Sequence, residues 1–342
     1  MSVLLLLGVW DWLCVPFAMA LPVAATTSVT AATTSASQST SITGRIYVGP
    51  SEVPTDAELA TYETQWIDPV STPANLTTFH LYEQPARGSN LLGSYLIYLP
   101  PEYNFSTASF PVMYWLHGGY GYSDECAWGV SNYHAAMLVG EMPQTIIVCP
   151  QALPIGYYVN SFDGVRPIED VMIQDLITHI DLTYRTLTDR ASRGIEGMSM
   201  GGYGTLHLAF KYPMLFGAIS AIAPSILPNL TDEPWQRTAD TFNYSTEYWE
   251  ANAPWTLAEE NAQYLRENTY IRIAEGSNDT RLNKAINSFG ATLTALGIPY
   301  DSWVTEGAEH DYEEIVSGMG ALAWSFWEHA FPPTPRIRHY CE

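Results

Sequence analysis

The chain has 342 residues, of which 47% are hydrophobic, so it can bury a full core and suits one large α/β domain or two small ones. Its formal net charge of -22, with lysine only at positions 211 and 284, argues against nucleic acid and anionic membrane surfaces as partners, since both need basic patches. A neutral or apolar substrate is more compatible with that balance. No dinucleotide fingerprint, P-loop or H-E-x-x-H pattern occurs, so neither a cofactor nor a metal is expected.

Residues 1–20 carry the run Leu4-Leu5-Leu6-Leu7 and end in Ala18-Met19-Ala20, the form of a secretory signal peptide with a small-x-small cleavage site. Asp11 and Pro16 make the same stretch a poor membrane-spanning helix, so export is expected, with no membrane attachment after processing. Residues 21–44 form a linker. Thr26 to Ser41 is almost wholly Thr, Ser and Ala, which cannot bury a core. A single domain is expected over 45–342. Of four cysteines, Cys14 leaves with the leader; Cys126, Cys149 and Cys341 allow one intramolecular disulfide and a free thiol. Glycosylation sequons begin at Asn75, Asn104, Asn229, Asn243 and Asn278.

Within the domain, Ile46-Tyr47-Val48 reads as a short strand. Leu76 to Leu81 and Leu91 to Leu99 read as a strand pair turning at Gly88-Ser89-Asn90. Phe110 to Leu116 and Thr145 to Cys149 are near-continuous apolar runs of strand length, the pattern of strands buried on both faces of a parallel sheet. A short helix lies between them at Asn132 to Leu138. Ile168 to Tyr184 is the clearest helix, with Met172, Leu176 and Ile180 recurring at i+4. Strands at Gly217 to Ala223, Tyr270 to Ala274 and Tyr300 to Val304 alternate with helices at Arg281 to Leu296 and Ile315 to Phe331. Such alternation predicts an α/β fold with a mainly parallel central sheet and helices on both faces. The stretch 224–260 is irregular and aromatic-rich, including Trp249 and Trp255, and is expected to help wall a substrate pocket; aromatics packing an otherwise coreless loop are the plain alternative.

Gly197-Met198-Ser199-Met200-Gly201 is a G-x-S-x-G stretch between a short strand, Arg193 to Glu196, and a helix, Tyr203 to Tyr212. Strand, tight turn and helix make the nucleophile elbow, in which the turn projects the serine hydroxyl and flanking glycines let backbones pass closely. A serine hydroxyl needs an adjacent base. His310, in a loop after the last strand, is the candidate; His80 and His134 precede the elbow, His207 and His179 lie on helices, and His329 and His339 come within or after the last helix. The imidazole needs an acid to hold its tautomer, and Asp279 stands shortly after strand 270–274. An Asx turn or helix cap is the other reading of Asp279. Asp301 and Asp311 are rivals too near His310 in sequence. The order Ser199, Asp279, His310 is that of the α/β-hydrolases. Oxyanion donors are expected from the N–H of Met200 and from Gly119 in His117-Gly118-Gly119 after the early strand.

These blocks, together with Val112 to Gly119, Tyr158-Val159-Asn160-Ser161, Glu169-Asp170 and Phe210-Lys211-Tyr212-Pro213, resemble the esterase D family of α/β-hydrolases, which includes the feruloyl and acetylxylan esterases of carbohydrate esterase family 1. The resemblance covers roughly residues 90 to 330. It implies a triad of Ser199, Asp279 and His310, an oxyanion hole at Gly119 and Met200, and a secreted serine carboxylic ester hydrolase. Its substrate would be a plant-type polysaccharide decorated with feruloyl or acetyl esters, or a small aromatic or short-chain ester. Two other readings stand beside it: an acyltransferase in which a sugar hydroxyl replaces water, and a carbohydrate-binding protein on an inactive hydrolase scaffold. A peptidase of the same fold is disfavoured because no propeller-sized domain is present. Oligomeric state is not legible.

Overall fold

The apolar runs of the sequence become the centre of one eight-stranded sheet. The protein is represented by a computed structural model that describes residues 60–69, 76–226, 228–230, 241–267 and 269–334. The leader, the linker, the strand expected at 46–48, Asn75, Cys14 and Cys341 lie outside them.

The strands are β1 (Thr77–Glu83), β2 (Leu92–Tyr98), β3 (Val112–Leu116), β4 (Ile146–Pro150), β5 (Arg193–Met198), β6 (Ala218–Ile222), β7 (Tyr270–Gly276) and β8 (Asp301–Thr305). Their spatial order is β1-β2-β4-β3-β5-β6-β7-β8. β1 pairs antiparallel with β2 and β2 antiparallel with β4, while β4 to β8 are parallel. This is an α/β-hydrolase-type sheet. The helices are α1 (Ala127–Val139), α2 (Ile168–Asp170), α3 (Ile177–Thr183), α4 (Met200–Lys211), α5 (Thr246–Asn252), α6 (Pro254–Glu260), α7 (Ala262–Arg266), α8 (Asn283–Ala295), α9 (Tyr312–Met319) and α10 (Leu322–Ala330).

Strand side chains alternate between two apolar cores, which is why the central strands read as continuous hydrophobic runs. Val112, Tyr114 and Leu116 pack with Leu176, Leu206 and Phe289 on one face; Met113 and Trp115 pack with Val130, Met137 and Trp327 on the other. Cys126 at the head of α1 is bonded to Cys149 in β4.

Three helical segments depart from the sequence reading. Between α2 and α3 the turn Val171–Leu176 is π-helical, so 168–183 is helical throughout but not uniformly α. The last helix is two, α9 and α10, parted at Gly320, whose φ is 54°. The end of the aromatic stretch is not irregular: it folds into α5 and α6, capped by Ser245, which accepts from the Tyr248 N–H, and started again by Pro254. Because β3 and β5 to β8 run parallel, the loops after them all emerge at one edge of the sheet. That edge carries Gly118, Ser199, Asp279 and His310.

Candidate active site

β5 runs directly into Ser199, and α4 begins at the next residue. Ser199 adopts φ 58° and ψ -115°, a conformation that costs energy for any side-chain-bearing residue. Three backbone hydrogen bonds hold it there: Ser199 N–H to Ile222 O (3.0 Å), and the N–H groups of Tyr203 and Ser225 to Ser199 O (2.9 Å each). The flanking glycines are steric necessities. A Cβ on Gly197 would come within 2.5 Å of Gly201 O, and one on Gly201 within 2.7 Å of His117 O and closer still to Leu116 O. The elbow therefore packs backbone on backbone against the end of β3.

His310 and Asp279 sit on the loops after β8 and β7. His310 Nε2 lies 2.8 Å from Ser199 Oγ, and Nδ1 lies 2.5 Å from Asp279 Oδ2. An ionised carboxylate only accepts, so Nδ1 carries the proton and Nε2 is left to accept from the serine hydroxyl. Burial alone would raise the Asp279 carboxyl. The hydrogen bond and charge of His310, the Arg281 charge and the Leu282 N–H together hold it below the usual range. Asp279 is 3% exposed and His310 28%, so the carboxylate is sealed while the imidazole is partly accessible.

The two loops are laced together. Ser277 N–H donates to Thr305 O (2.9 Å), Asn278 N–H to Ala308 O (2.9 Å), Asn278 Nδ2 to Gly307 O (3.0 Å) and Gly307 N–H to Ser277 Oγ (2.8 Å). A Cβ on Gly276 would strike the carbonyls of Ala308 and Glu309. Asp311, the rival acid, instead caps α9 by accepting from Glu314 N–H at 2.8 Å, and Asp301 opens β8 as an exposed residue.

Gly118 lies against the serine: a Cβ there would stand 3.7 Å from Ser199 Cβ. Gly119 follows it. Met200 is the first residue of α4, and helix geometry leaves its N–H without an acceptor in its own helix. Of the other histidines, His117 stands in the loop after β3 beside Gly118, with Nδ1 2.8 Å from Gly118 O. His207 is fully buried between Glu169 Oε2 (2.8 Å) and Asn252 O (3.0 Å), as expected of a packing residue.

The expectation for the two tryptophans needs correction. Trp249 is 2% exposed, its ring 4.8 Å from Phe242 and 6.0 Å from Tyr203. Trp255 packs edge-on against Phe289 at 5.2 Å. Trp249 belongs to the core beneath the elbow helix, because α5 turns its apolar face inward, whereas Trp255, on α6, is half-buried and packs at the margin of that core.

Sequence reasoning missed a buried polar cluster behind the site. Glu196, fully buried in β5, accepts from Tyr312 Oη (2.7 Å), Tyr133 Oη (2.8 Å), Ser220 Oγ (2.7 Å) and Arg272 Nη2 (3.0 Å). The signal was present: Glu196 and Arg272 are opposite charges inside two strands whose neighbours are apolar or small. Among the described residues, no group of three or more His, Cys, Asp or Glu is placed to hold a metal ion.

Sheet order, strained serine, histidine and buried aspartate define an α/β-hydrolase. The chain belongs to the putative esterase family, whose model matches residues 94–336. It is 33% identical over 131 residues to an esterase of Mycobacterium tuberculosis, MT1326, an alignment covering 36% of this chain and 27% of that protein. It is 22% identical over 271 residues to an endo-1,4-beta-xylanase/feruloyl esterase of Xylanibacter ruminicola, covering 72% of this chain and 33% of that one. The alignments thus span about a third or less of these two relatives. A solved ferulic acid esterase has the same fold, with a TM-score of 0.64 and 23% identity over 75% of this chain and 98% of its own.

Proposed function

We propose that this protein is a serine ester hydrolase working through an acyl-enzyme. The observation that carries the reading is the unbroken line of contacts from Ser199 Oγ to His310 Nε2 (2.8 Å) and from His310 Nδ1 to Asp279 Oδ2 (2.5 Å). Ser199 attacks the ester carbonyl as His310 takes its proton. The N–H groups of Gly119 and Met200 receive the developing oxyanion, and Asp279 stabilises the imidazolium. The alcohol leaves with the proton from His310. Water then attacks the acyl-enzyme, with His310 again the base.

We propose esters of ferulic or acetic acid on plant-type polysaccharide, or small aromatic and short-chain esters, as substrates. The feruloyl and ferulic acid esterases among the similar proteins support this choice. Export is supported by the leader-like first 20 residues and by the Cys126–Cys149 disulfide, a bond that persists in oxidising compartments. N-terminal sequencing of protein recovered from the medium checks it; a mature chain that begins at Met1 overturns it.

The test of activity is a panel of p-nitrophenyl acetate, p-nitrophenyl butyrate, methyl ferulate and acetylated xylan, each run beside Ser199→Ala. Hydrolysis lost in the variant supports the reading, and the preferred ester names the substrate class. Turnover unchanged in Ser199→Ala removes Ser199 as nucleophile. If the wild type is silent with water but acylates added sugars, the enzyme is a transferase.

A further inference from the structure

The loop between β3 and α1 holds a carboxylate folded back on itself. Glu125 Oε2 accepts from the Gly118 N–H at 2.9 Å, and a Cβ on Gly121 would run into the same carboxylate. The backbone of Glu125 is anchored from its far side. Cys126, the next residue, is disulfide-bonded to Cys149 of β4, and the Ser123 N–H donates to Gln151 Oε1 at 3.0 Å. The backbone that carries this carboxylate is therefore tied to β4 and the residue after it, outside the glycine turn it contacts.

The next peptide is held as well. Gly118 O accepts from the Gly121 N–H (3.1 Å) and from His117 Nδ1 (2.8 Å). His117 is fully buried, which lowers its basicity; a carbonyl oxygen only accepts, so Nδ1 donates to Gly118 O, while Nε2 lies near both the N–H (3.2 Å) and the O (3.1 Å) of Ala152. The described chain has no cis peptide bond, and in a trans peptide the C=O and N–H point to opposite sides. With Gly118 O turned toward Gly121 and His117, the Gly119 N–H is turned the other way.

We propose that Glu125 is a positioning residue of the oxyanion loop, fixing through the Gly118 N–H the peptide orientation in which the Gly119 N–H receives the oxyanion. This rests on the reading that Gly119 is an oxyanion donor. Burial raises the Glu125 carboxyl to about 7 against the opposing pull of the Gly118 N–H, with Asp124 adding to the rise. A neutral glutamine can therefore take its place as acceptor.

The test compares wild type, Glu125→Ala, Glu125→Gln and Gly121→Ala. Steady-state hydrolysis of p-nitrophenyl acetate is measured beside hydrogen–deuterium exchange at residues 118–121. In Glu125→Ala, kcat falls roughly 10–100-fold with KM changed by less than about twofold, because a displaced donor acts only on the transition state. Exchange at 118–121 speeds up about tenfold or more as the hydrogen bond is lost. Glu125→Gln restores both to within about threefold of wild type. Gly121→Ala, which displaces the carboxylate without removing it, reproduces Glu125→Ala, and the double variant is no worse than either single one. Unchanged kcat and exchange in Glu125→Ala overturn the proposal, as does a Glu125→Gln as impaired as alanine. If the wild type hydrolyses no ester, the hydrolase reading falls, yet exchange still decides whether Glu125 holds the loop.

Discussion

Tyr312 donates a 2.7 Å hydrogen bond to Glu196, joining a residue two positions after His310 to one three positions before Ser199. The segments that carry His310 and Ser199 are thus fastened to each other at a buried point. Trp115 Nε1 donates to the same tyrosine oxygen at 3.2 Å. Tyr312→Phe strips a donor from Glu196 and an acceptor from Trp115, which costs about 1–3 kcal/mol. We expect a lower Tm and a several-fold fall in kcat with KM held, read by thermal denaturation and kinetics. Arg272→Leu is harsher. It leaves the Glu196 carboxylate buried without its counter-charge, at a cost of about 3–5 kcal/mol. Little folded protein is expected from it, and near-wild-type yield and Tm would contradict the ion-pair argument.

Asp279 fixes which nitrogen of His310 carries the proton. Asp279→Asn keeps the shape but presents an amide that can hold the wrong tautomer, so kcat falls about 10³–10⁴-fold. The double variant Ser199→Ala/Asp279→Asn is no slower than Ser199→Ala, because the triad acts as a unit. Kinetics of the three proteins on one p-nitrophenyl ester decide it. A loss below about tenfold in Asp279→Asn would move the acid role elsewhere.

Glu275 ends β7 four residues before Asp279, and its Oε2 has no hydrogen-bond partner. Burial first, then the Asp279 charge, raises its carboxyl from 4.5 to about 7, against a weak pull from Asn287. The folded state binds this proton more tightly than the unfolded state. Its contribution to stability is therefore full below pH 4.5 and is lost as pH rises to about 7. Glu125 acts in the same window with the same sign. Glu275→Gln stays neutral, so its Tm exceeds that of wild type at pH 8, and the gap closes at pH 4.5. Equal pH slopes for both proteins would refute this. Glu169 has the opposite sign. Burial raises it, but His207, Tyr212 and Lys211 hold it near 2, so its contribution is lost as pH falls from 4.5 toward 2.

Trp249 is core, so Trp249→Phe tests packing without touching a pocket. Its indole N–H has no partner, and phenylalanine removes that orphan while leaving a small void. We expect a Tm lowered by a few degrees and an unchanged KM for every ester tried. A KM that shifts several-fold for one ester alone would return Trp249 to the substrate wall.

Asn278 donates from Nδ2 to Gly307 O at 3.0 Å, within the lacing that brings Asp279 under His310. A glycan on that nitrogen would crowd the Gly307 loop. We expect glycopeptide mapping of protein from a glycosylating host to find the exposed Asn104 and Asn243 occupied and Asn278 bare. High occupancy at Asn278 would mean the two loops do not need this hydrogen bond.

The alternation of strands and helices was legible because each element carries its own period. The elbow was legible because it is local: five residues, two of them glycines that backbone contact requires. The order of Ser199, Asp279 and His310 then followed from strand ends. Less local features were hidden. The period of 315–331 continues across Gly320, so one helix was read where two exist. Residues 246–260 fold into two seven-residue helices, too short for the period to show. An aromatic run looks the same in sequence whether it lines a pocket or fills a core, and only the inward turn of α5 placed Trp249.

By itself, then, the sequence determined the fold class, the elbow and the three residues that meet there, since local pattern and chain order suffice for these. Tertiary structure alone decided the partners: Glu125 with Gly118, Glu196 with Tyr312 and Arg272, Cys126 with Cys149. The Glu125 pair depends on how one loop folds back, the others on which elements become neighbours around the sheet, and adjacency in space between residues as far apart as Glu196 and Tyr312 leaves no periodic trace in a single chain.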